Sequence, residues 1–245
     1  RRIVTDSDLD GVVTAAILRR WWPEAEVVFG HPGELRAGLH DGHIDRHTAV
    51  CDLPRHPDCG LSIDHHQSNA PGEDEDDGVV IIWRETPSAA RIAYDLLEGE
   101  VDLSDLEDML TWVDKLDGGG INREEFRSDH PVIWLGRVVD TESGIALHIL
   151  ESLQHGVSVD DILSGPAVAP ALEHRRARQA EMDSAIAENT HVVDRLAIVR
   201  LENRNMRSNG YHVTALVGED CDACLIVHGD VGASFGDEGR YPVSA

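Results

Sequence analysis

Lysine is almost absent from this chain. Its 245 residues include 21 basic side chains, Lys115 and twenty arginines, against 46 Asp and Glu, so the net charge is −25. A protein that binds long nucleic acid without sequence preference needs a basic surface that displaces counterions, and this charge argues against that class. So few lysines are typical either of a salt-adapted surface or of codon bias, and composition does not separate the two.

Long apolar runs and a signal peptide are also missing. No stretch approaches the roughly 20 apolar residues that a membrane-crossing helix needs, and no secretory signal opens the sequence. We therefore expect a globular, cytoplasmic protein with no membrane partner, in which the four cysteines are free thiols. The sequence starts without Met and stops in a strand-like run, so we expect the natural chain to extend beyond both ends.

The first third of the chain alternates strand-like and helix-like segments, an order typical of a parallel sheet with helices on its faces. We predict an α/β fold with a mostly parallel five-stranded sheet. The predicted strands are residues 2–5, 26–29, 48–52, 61–64 and 79–83; the predicted helices are 12–22, 88–97, 104–116, 131–139 and 143–153.

A second, smaller α/β domain is predicted towards the end of the sequence. Residues 1–155 form the expected first domain, 156–190 a hinge-like stretch followed by a long connecting helix at 171–189, and 191–245 the small domain, of which we expect a part to be missing. Its predicted strands are residues 197–201, 211–217, 223–227 and 241–244.

Three of the predicted strands end in Asp or His. The first runs into Asp6-Ser7-Asp8-Leu9-Asp10-Gly11, the third into Asp52, and the fourth into Asp64-His65-His66. The first motif is spelled like an EF-hand loop, but the twelfth loop position, where Ca²⁺ needs a Glu, is Ile17. The carboxyl ends of parallel strands share one edge of a sheet, so a single cluster is expected. Carboxylates with imidazole suit Mn²⁺ or Mg²⁺ better than Zn²⁺ or Fe²⁺, and so many carboxylates can neutralise two ions.

These motifs, in this order, resemble those of the DHH phosphoesterases, the superfamily that includes RecJ, nanoRNases and exopolyphosphatases. The Asp-His-His triplet gives that family its name, and the likeness covers about the first 120 residues. A fourth motif is matched by Trp112-Val113-Asp114-Lys115-Leu116-Asp117. Either aspartate of this motif could face the metals, because they lie one helical turn apart, and Asp114 is favoured.

The resemblance implies a division of roles among these residues. Asp6, Asp8 and Asp52 would hold one Mn²⁺, and Asp10, Asp52, His65 and Asp114 the other, with water attacking phosphorus in line. His66 would contact the scissile phosphate as a catalytic and substrate-binding residue. Asp64 would orient the neighbouring histidines and act in catalysis without binding metal.

The implied activity is hydrolysis of a small phosphorylated substrate: a short oligonucleotide, a linear dinucleotide or a nucleoside bisphosphate. The acidic charge disfavours long duplex nucleic acid as a partner. An exopolyphosphatase or pyrophosphatase is the enzymatic alternative, and a non-catalytic metal or nucleotide sensor is a third. The sequence lacks the GGGH motif of many relatives, which leaves the substrate open, and a homodimer is also open because relatives often dimerise.

Overall fold

The computed structural model describes residues 1–72, 78–141, 143–229 and 243–244. It divides into two compact units, Arg1–Gly120 with His130–Leu172, and Ile121–Asp129 with Glu173–Ala245. Whether residues 1–155, 156–190 and 191–245 behave as separate domains stays a prediction.

The first unit is built on five strands, all parallel, in the spatial order β2-β1-β3-β4-β5. The α/β fold with a five-stranded parallel sheet is therefore confirmed. Every predicted strand is present, with ends within one residue of the expected ones. The strands are β1 (Arg2–Thr5), β2 (Glu26–Phe29), β3 (Thr48–Cys51), β4 (Leu61–Asp64) and β5 (Val80–Trp83).

Helices cover this sheet, and their packing explains why the central strands are buried. Helix α1 is apolar on almost all sides, with Val12, Val13 and Ile17 fully buried, as expected for a helix enclosed by others. It packs against α3 and α7. The helices are α1 (Leu9–Trp21), α2 (Pro32–Arg36), α3 (Ala89–Leu97), α4 (Glu107–Asp117), α6 (Pro131–Val138), α7 (Ser143–Gln154) and α8 (Val159–Ser164), with α5 (Arg123–Arg127) in the second unit.

The stretch predicted as a hinge contains α8. Ile162 and Leu163 of this helix are buried in the core of the first unit. Ser158 caps the helix by accepting a hydrogen bond from the Asp161 amide. The Gly and Pro residues of this stretch therefore bound a packed helix, and composition alone suggested a looser segment.

The second unit has its own core and a sheet in the order β6-β7-β8-β9. The predicted strand at 211–217 is wrong: this run forms a helix, whose N-cap Asn209 accepts a hydrogen bond from the His212 amide. The run is apolar enough for either structure, and the cap decides it. The elements are α9 (Ala169–Asn189), β6 (Thr190–Val193), β7 (Leu196–Arg200), α10 (Gly210–Val217), β8 (Ala223–Val227) and β9 (Val243–Ser244).

Two further features bear on the expectations. None of the four cysteines, Cys51, Cys59, Cys221 and Cys224, forms a disulfide. In the part of the chain that the structure describes, no helix has the length and apolar character needed to cross a membrane. Residues 241 and 242 of the last predicted strand lie outside the described residues.

Candidate metal centre

The turn between β1 and α1 places three aspartates close together. Asp8 is the N-cap of α1, and its Oδ1 accepts a hydrogen bond from the Gly11 amide at 2.9 Å. A Cβ atom at Gly11 would collide with the main-chain oxygen of Asp6, so only glycine allows this tight turn. Asp10 follows in the first turn of the helix and is 2% exposed.

The two carboxylate oxygens of Asp10 are held by the start of another helix. Oδ2 accepts from the Ala89 amide and Oδ1 from the Ala90 amide, both at 2.7 Å. These are the first amides of α3, which have no partner within the helix and favour a negative charge. Burial, followed by the charges of Asp117 and Asp8, nevertheless raises the pKa of Asp10 to about 7.

Asp52 follows β3 in a backbone conformation that is rare for a residue other than glycine. Its φ is +56°, in the left-handed region, and such strain is often found at functional sites. Its amide donates to the Ile63 oxygen at 2.9 Å, which fixes the turn against β4. Its side chain is 2% exposed, yet Oδ1 has no hydrogen-bond partner among the described residues.

His65 turns one ring nitrogen towards these carboxylates. Its Nδ1 lies 3.1 Å from the carbonyl oxygen of Thr86, a contact that places a proton on Nδ1 and leaves Nε2 as the inner atom. Nε2 lies 3.6 Å from Asp10 Oδ2 and 3.6 Å from Asp52 Oδ1. Burial alone lowers the pKa of His65, but Asp117 and Asp52 outweigh it and raise that pKa to about 11.

Asp117, and not Asp114, completes this group. Asp117 Oδ2 lies 3.0 Å from His65 Nε2. Asp114 has other partners, since it accepts a hydrogen bond from Ser88 Oγ at 2.7 Å and pairs with Arg91 through Nε at 3.0 Å and Nη2 at 2.6 Å. The structure thus brings Asp117 beside His65 and pairs the favoured Asp114 with an arginine from α3. Which of the two aspartates binds metal stays a prediction.

Two sets of ligand atoms converge within 4.8 Å among the described residues. One is Asp10, His65 and Asp117, and the other is Asp52, His65 and His66. Asp6 and Asp8 belong to neither set. Asp8 is nonetheless close to Asp52 and Asp117, which influence its pKa; burial, as the largest cause, raises that pKa to about 6.

Asp6 lies at the outer side of the cluster. Its Oδ1 accepts from the Ser7 amide at 2.6 Å, and it is near enough to His31 and His66 for their charges to act on it. Burial raises the pKa of Asp6 above its usual value. It is thus the most weakly placed of the expected ligands.

Asp64 and His66 form a rim beside the cluster. Asp64 Oδ1 accepts from the amides of His65 and His66 at 2.8 and 3.0 Å and lies 2.9 Å from His66 Nδ1. Its Oδ2 accepts from Asn69 Nδ2 at 2.7 Å. Burial raises the pKa of Asp64, but these hydrogen bonds outweigh it, so the pKa lies below its usual value.

The site fits a divalent cation by its donor chemistry. Asp52 Oδ1 and His65 Nε2 are both buried and both lack a well-directed hydrogen bond in the described part of the chain. Such atoms are costly to bury unless a partner is supplied. Carboxylate oxygens with an imidazole nitrogen are ligands that Mn²⁺ and Mg²⁺ accept.

Some residues at the site could not be found from the sequence. Asn69, Ser88 and Arg91 carry no motif of their own, and among them only Ser88 has a marked place in the sequence, as the first residue of the predicted helix 88–97. Arg91 lies 23 residues from Asp114 in the chain, so their pairing depends on how α3 and α4 pack.

Comparison with known proteins shows the fold. No family model and no curated protein matches the sequence. Among solved structures, the chain is similar to the pGpG-specific phosphodiesterase PggH from Vibrio cholerae, with a TM-score of 0.75 and 24% identity over 95% of this chain and 78% of that chain. The exonuclease RecJ bound to manganese matches with a TM-score of 0.45 and 15% identity over 94% of this chain and 75% of that chain. The likeness to PggH confirms the fold that the resemblance to DHH phosphoesterases implies.

Proposed function

We propose that this chain is a metal-dependent phosphodiesterase that hydrolyses a linear dinucleotide. The observation that carries this proposal is the convergence of His65 Nε2 with carboxylate oxygens of Asp10, Asp52 and Asp117, 3.0 to 3.6 Å away, at the carboxyl edge of the sheet. Within this group, Asp52 Oδ1 and His65 Nε2 lack a well-directed hydrogen bond among the described residues. Such a group of buried ligand atoms supports a cation that binds during function.

Asp10, Asp52, His65 and Asp117 would hold one Mn²⁺ ion in this proposal, and Asp6, Asp8 and Asp52 a second. When bound, such ions make a water molecule nucleophilic at neutral pH and offset the charge that develops on phosphate. The chain contributes the spacing of these ligands, and the strained backbone at Asp52 holds its carboxylate beside His65.

His66 is the side chain best placed to contact the substrate phosphate. Its ring is 46% exposed, so a ligand can reach it. The hydrogen bond to Asp64, the largest influence, raises the pKa of His66 above its usual value. The ring therefore favours its protonated form, in which Nδ1–H donates to Asp64 and Nε2–H can donate to a phosphate oxygen.

Asp64 acts on the reaction through His66. Its carboxylate also accepts the amides of both histidines, so one group sets the position of the backbone and the orientation of the ring. Mutation of a residue that orients a metal ligand typically lowers metal affinity or activity by about 10–100-fold. We expect a loss of this size when Asp64 no longer orients His66.

A linear dinucleotide is the substrate that the observations favour. The net charge of −25 disfavours long nucleic acid, and one protein with this fold is a pGpG-specific phosphodiesterase. Addition of one water to pGpG would break the bridging P–O bond and give two molecules of GMP. Nucleoside bisphosphates, polyphosphate and pyrophosphate are the other substrates to compare.

The test uses the full chain, stripped of metal and then supplied with Mn²⁺, Mg²⁺ or EDTA. Products from pGpG, pApA, pAp, pyrophosphate and polyphosphate are separated by chromatography. We expect GMP from pGpG with Mn²⁺, and none with EDTA or in the Asp52→Asn variant. If none of these compounds is hydrolysed, or if Asp52→Asn is as active as the wild type, the proposal is contradicted. If only polyphosphate is hydrolysed, polyphosphate and not a dinucleotide is the substrate.

A further inference from the structure

A cavity of about 220 Å³ borders the candidate metal centre. Whole small-molecule sites occupy about 300–1,000 Å³, so this cavity suits one part of a ligand. It lies within the first unit, beyond the end of β2, and Ser7 in its wall stands between Asp6 and Asp8 in the chain. The lining residues are Ser7, Phe29, Gly30, His31, Glu34, Val139, Asp140 and Ala146.

The charge of this cavity disfavours a phosphate group. Glu34 and Asp140 bring two carboxylates to its wall, and none of the described residues that line it is Arg or Lys. The hydrogen bond with His40 lowers the pKa of Glu34, which keeps that carboxylate charged. This wall favours a group that carries no negative charge and offers N–H donors to the carboxylates.

Glu34 is positioned with one oxygen to spare. Its Oε2 accepts from the His31 amide at 3.0 Å and lies 3.1 Å from His40 Nε2. Neither contact uses Oε1. The bond from the His31 amide belongs to the capping box at the start of α2, and together with the His40 contact it holds the carboxylate in place before a ligand arrives.

His31 adds a donor to the same wall. Its Nδ1 accepts a hydrogen bond from the Gly33 amide at 3.2 Å, so in the neutral ring the proton is on Nε2. The cavity thus combines acceptors from Glu34 and Asp140, a donor from His31 and an aromatic wall from Phe29.

We infer that this cavity receives a guanine base of the dinucleotide and makes the enzyme selective for it. Guanine carries two adjacent donors, N1–H and the N2 amino group, which Glu34 Oε1 and the Asp140 carboxylate would accept. Its O6 and N7 are acceptors for a donor such as His31 Nε2–H. Adenine and cytosine each present a donor beside an acceptor, so one of their edge atoms would face a carboxylate unfavourably. This inference rests on the proposed function.

The test compares kcat and KM for pGpG, pApA and pCpC with Mn²⁺ in the wild type, Glu34→Gln and Glu98→Gln. Glutamine can keep the capping box at this position, so the first variant should fold; Glu98 is exposed at the end of α3 and serves as the matched control. We expect kcat/KM for pGpG to exceed that for pApA by about 10-fold or more in the wild type and to fall about 10-fold in Glu34→Gln, mainly through KM. Values for pApA and for the control variant should not change.

A second readout separates base binding from hydrolysis. Calorimetric titration with GMP should give tighter binding than AMP in the wild type, and Glu34→Gln should remove the difference. Equal hydrolysis of all three dinucleotides, unchanged in Glu34→Gln, would overturn the base site while leaving the phosphodiesterase intact. Hydrolysis of none of them would overturn both proposals.

Discussion

Asp52 and Asp64 stand at the carboxyl ends of neighbouring parallel strands, and both are buried, at 2% and 3% exposure. Asp64 accepts hydrogen bonds on both oxygens, and its pKa is lowered by them. Asp52 leaves Oδ1 without a partner in the described residues, and burial together with Asp10 raises its pKa. Residue type and place at a strand end are alike, so the hydrogen-bond partners, with the left-handed backbone at Asp52, distinguish a candidate ligand from a residue that orients its neighbours.

The largest effect should come from Asp52→Asn. The amide keeps the shape of the side chain but loses the charge that two ions would share. Activity on pGpG should therefore fall by more than about 100-fold, which exceeds the usual loss for a residue that only orients a metal ligand. The metal-free variant should unfold at the same temperature or higher, because a buried, unpaired carboxylate has been removed. Steady-state kinetics and calorimetric melting check both parts; residual activity above a few per cent would contradict a shared ligand.

The next effect distinguishes the two aspartates of α4. Asp117→Asn should weaken Mn²⁺ binding by about 100-fold, since Asp117 faces His65 Nε2. Asp114→Asn should leave Mn²⁺ binding within about 10-fold but lower the free energy of unfolding by about 1–3 kcal/mol, because Arg91 loses its charged partner. Titration calorimetry and denaturant unfolding on both variants measure the contrast. The reverse pattern would restore Asp114 as the ligand.

Asp64→Asn should give a smaller loss, about 10–100-fold in kcat for pGpG. The variant weakens the orientation of His66 but leaves Asp52 and His65 in place, so Mn²⁺ binding should change little. The pH dependence of kcat should also shift to lower pH, because His66 would lose the partner that raises its pKa. If Asp64→Asn weakens Mn²⁺ binding as much as Asp52→Asn does, Asp64 is itself a metal ligand. The distinction between Asp52 as a ligand and Asp64 as an orienting residue would then be wrong.

The smallest effect is a pH dependence of stability in the metal-free protein. Burial raises the pKa of Asp8 to about 6 and that of Asp10 to about 7, above the values of the unfolded chain. The folded state then binds more protons than the unfolded state, so the free energy of unfolding should fall as pH rises from about 4 to 7. Denaturant unfolding at pH 5 and pH 8 in EDTA measures this slope, and Asp10→Asn should reduce it. If the free energy of unfolding rises with pH instead, Asp8 and Asp10 are not the groups that dominate the pH dependence of stability.

The alternation of apolar runs and turns was enough to predict the sheet and the edge at which the site lies. It could not predict the φ of +56° at Asp52, because strain depends on contacts that the surrounding fold supplies. It could not choose between Asp114 and Asp117 either. Both lie on one face of α4, and what separates them in the structure is the ion pair of Asp114 with Arg91, which belongs to a different helix.

The misassigned run at 211–217 shows a second limit. Its β-branched and aromatic residues suit a strand, and Asn209 before it was the available sign of a helix. In the same way, buried Ile162 and Leu163 show that α8 is part of a core, whereas the Gly and Pro residues around it suggest a hinge. Short segments of this kind are decided by tertiary packing more than by local pattern.

In the proposed enzyme, Asp52 Oδ1 and His65 Nε2 are metal ligands. Crystals of the full chain soaked in Mn²⁺ and measured at the manganese absorption edge show directly whether this is so. We expect anomalous peaks for two ions, one against Asp10, Asp52, His65 and Asp117 and the other against Asp52 with Asp8 and Asp6, and neither in Asp52→Asn crystals. Absence of any ion at these residues in millimolar Mn²⁺, or an ion held by Asp114 with Arg91 displaced, would contradict it.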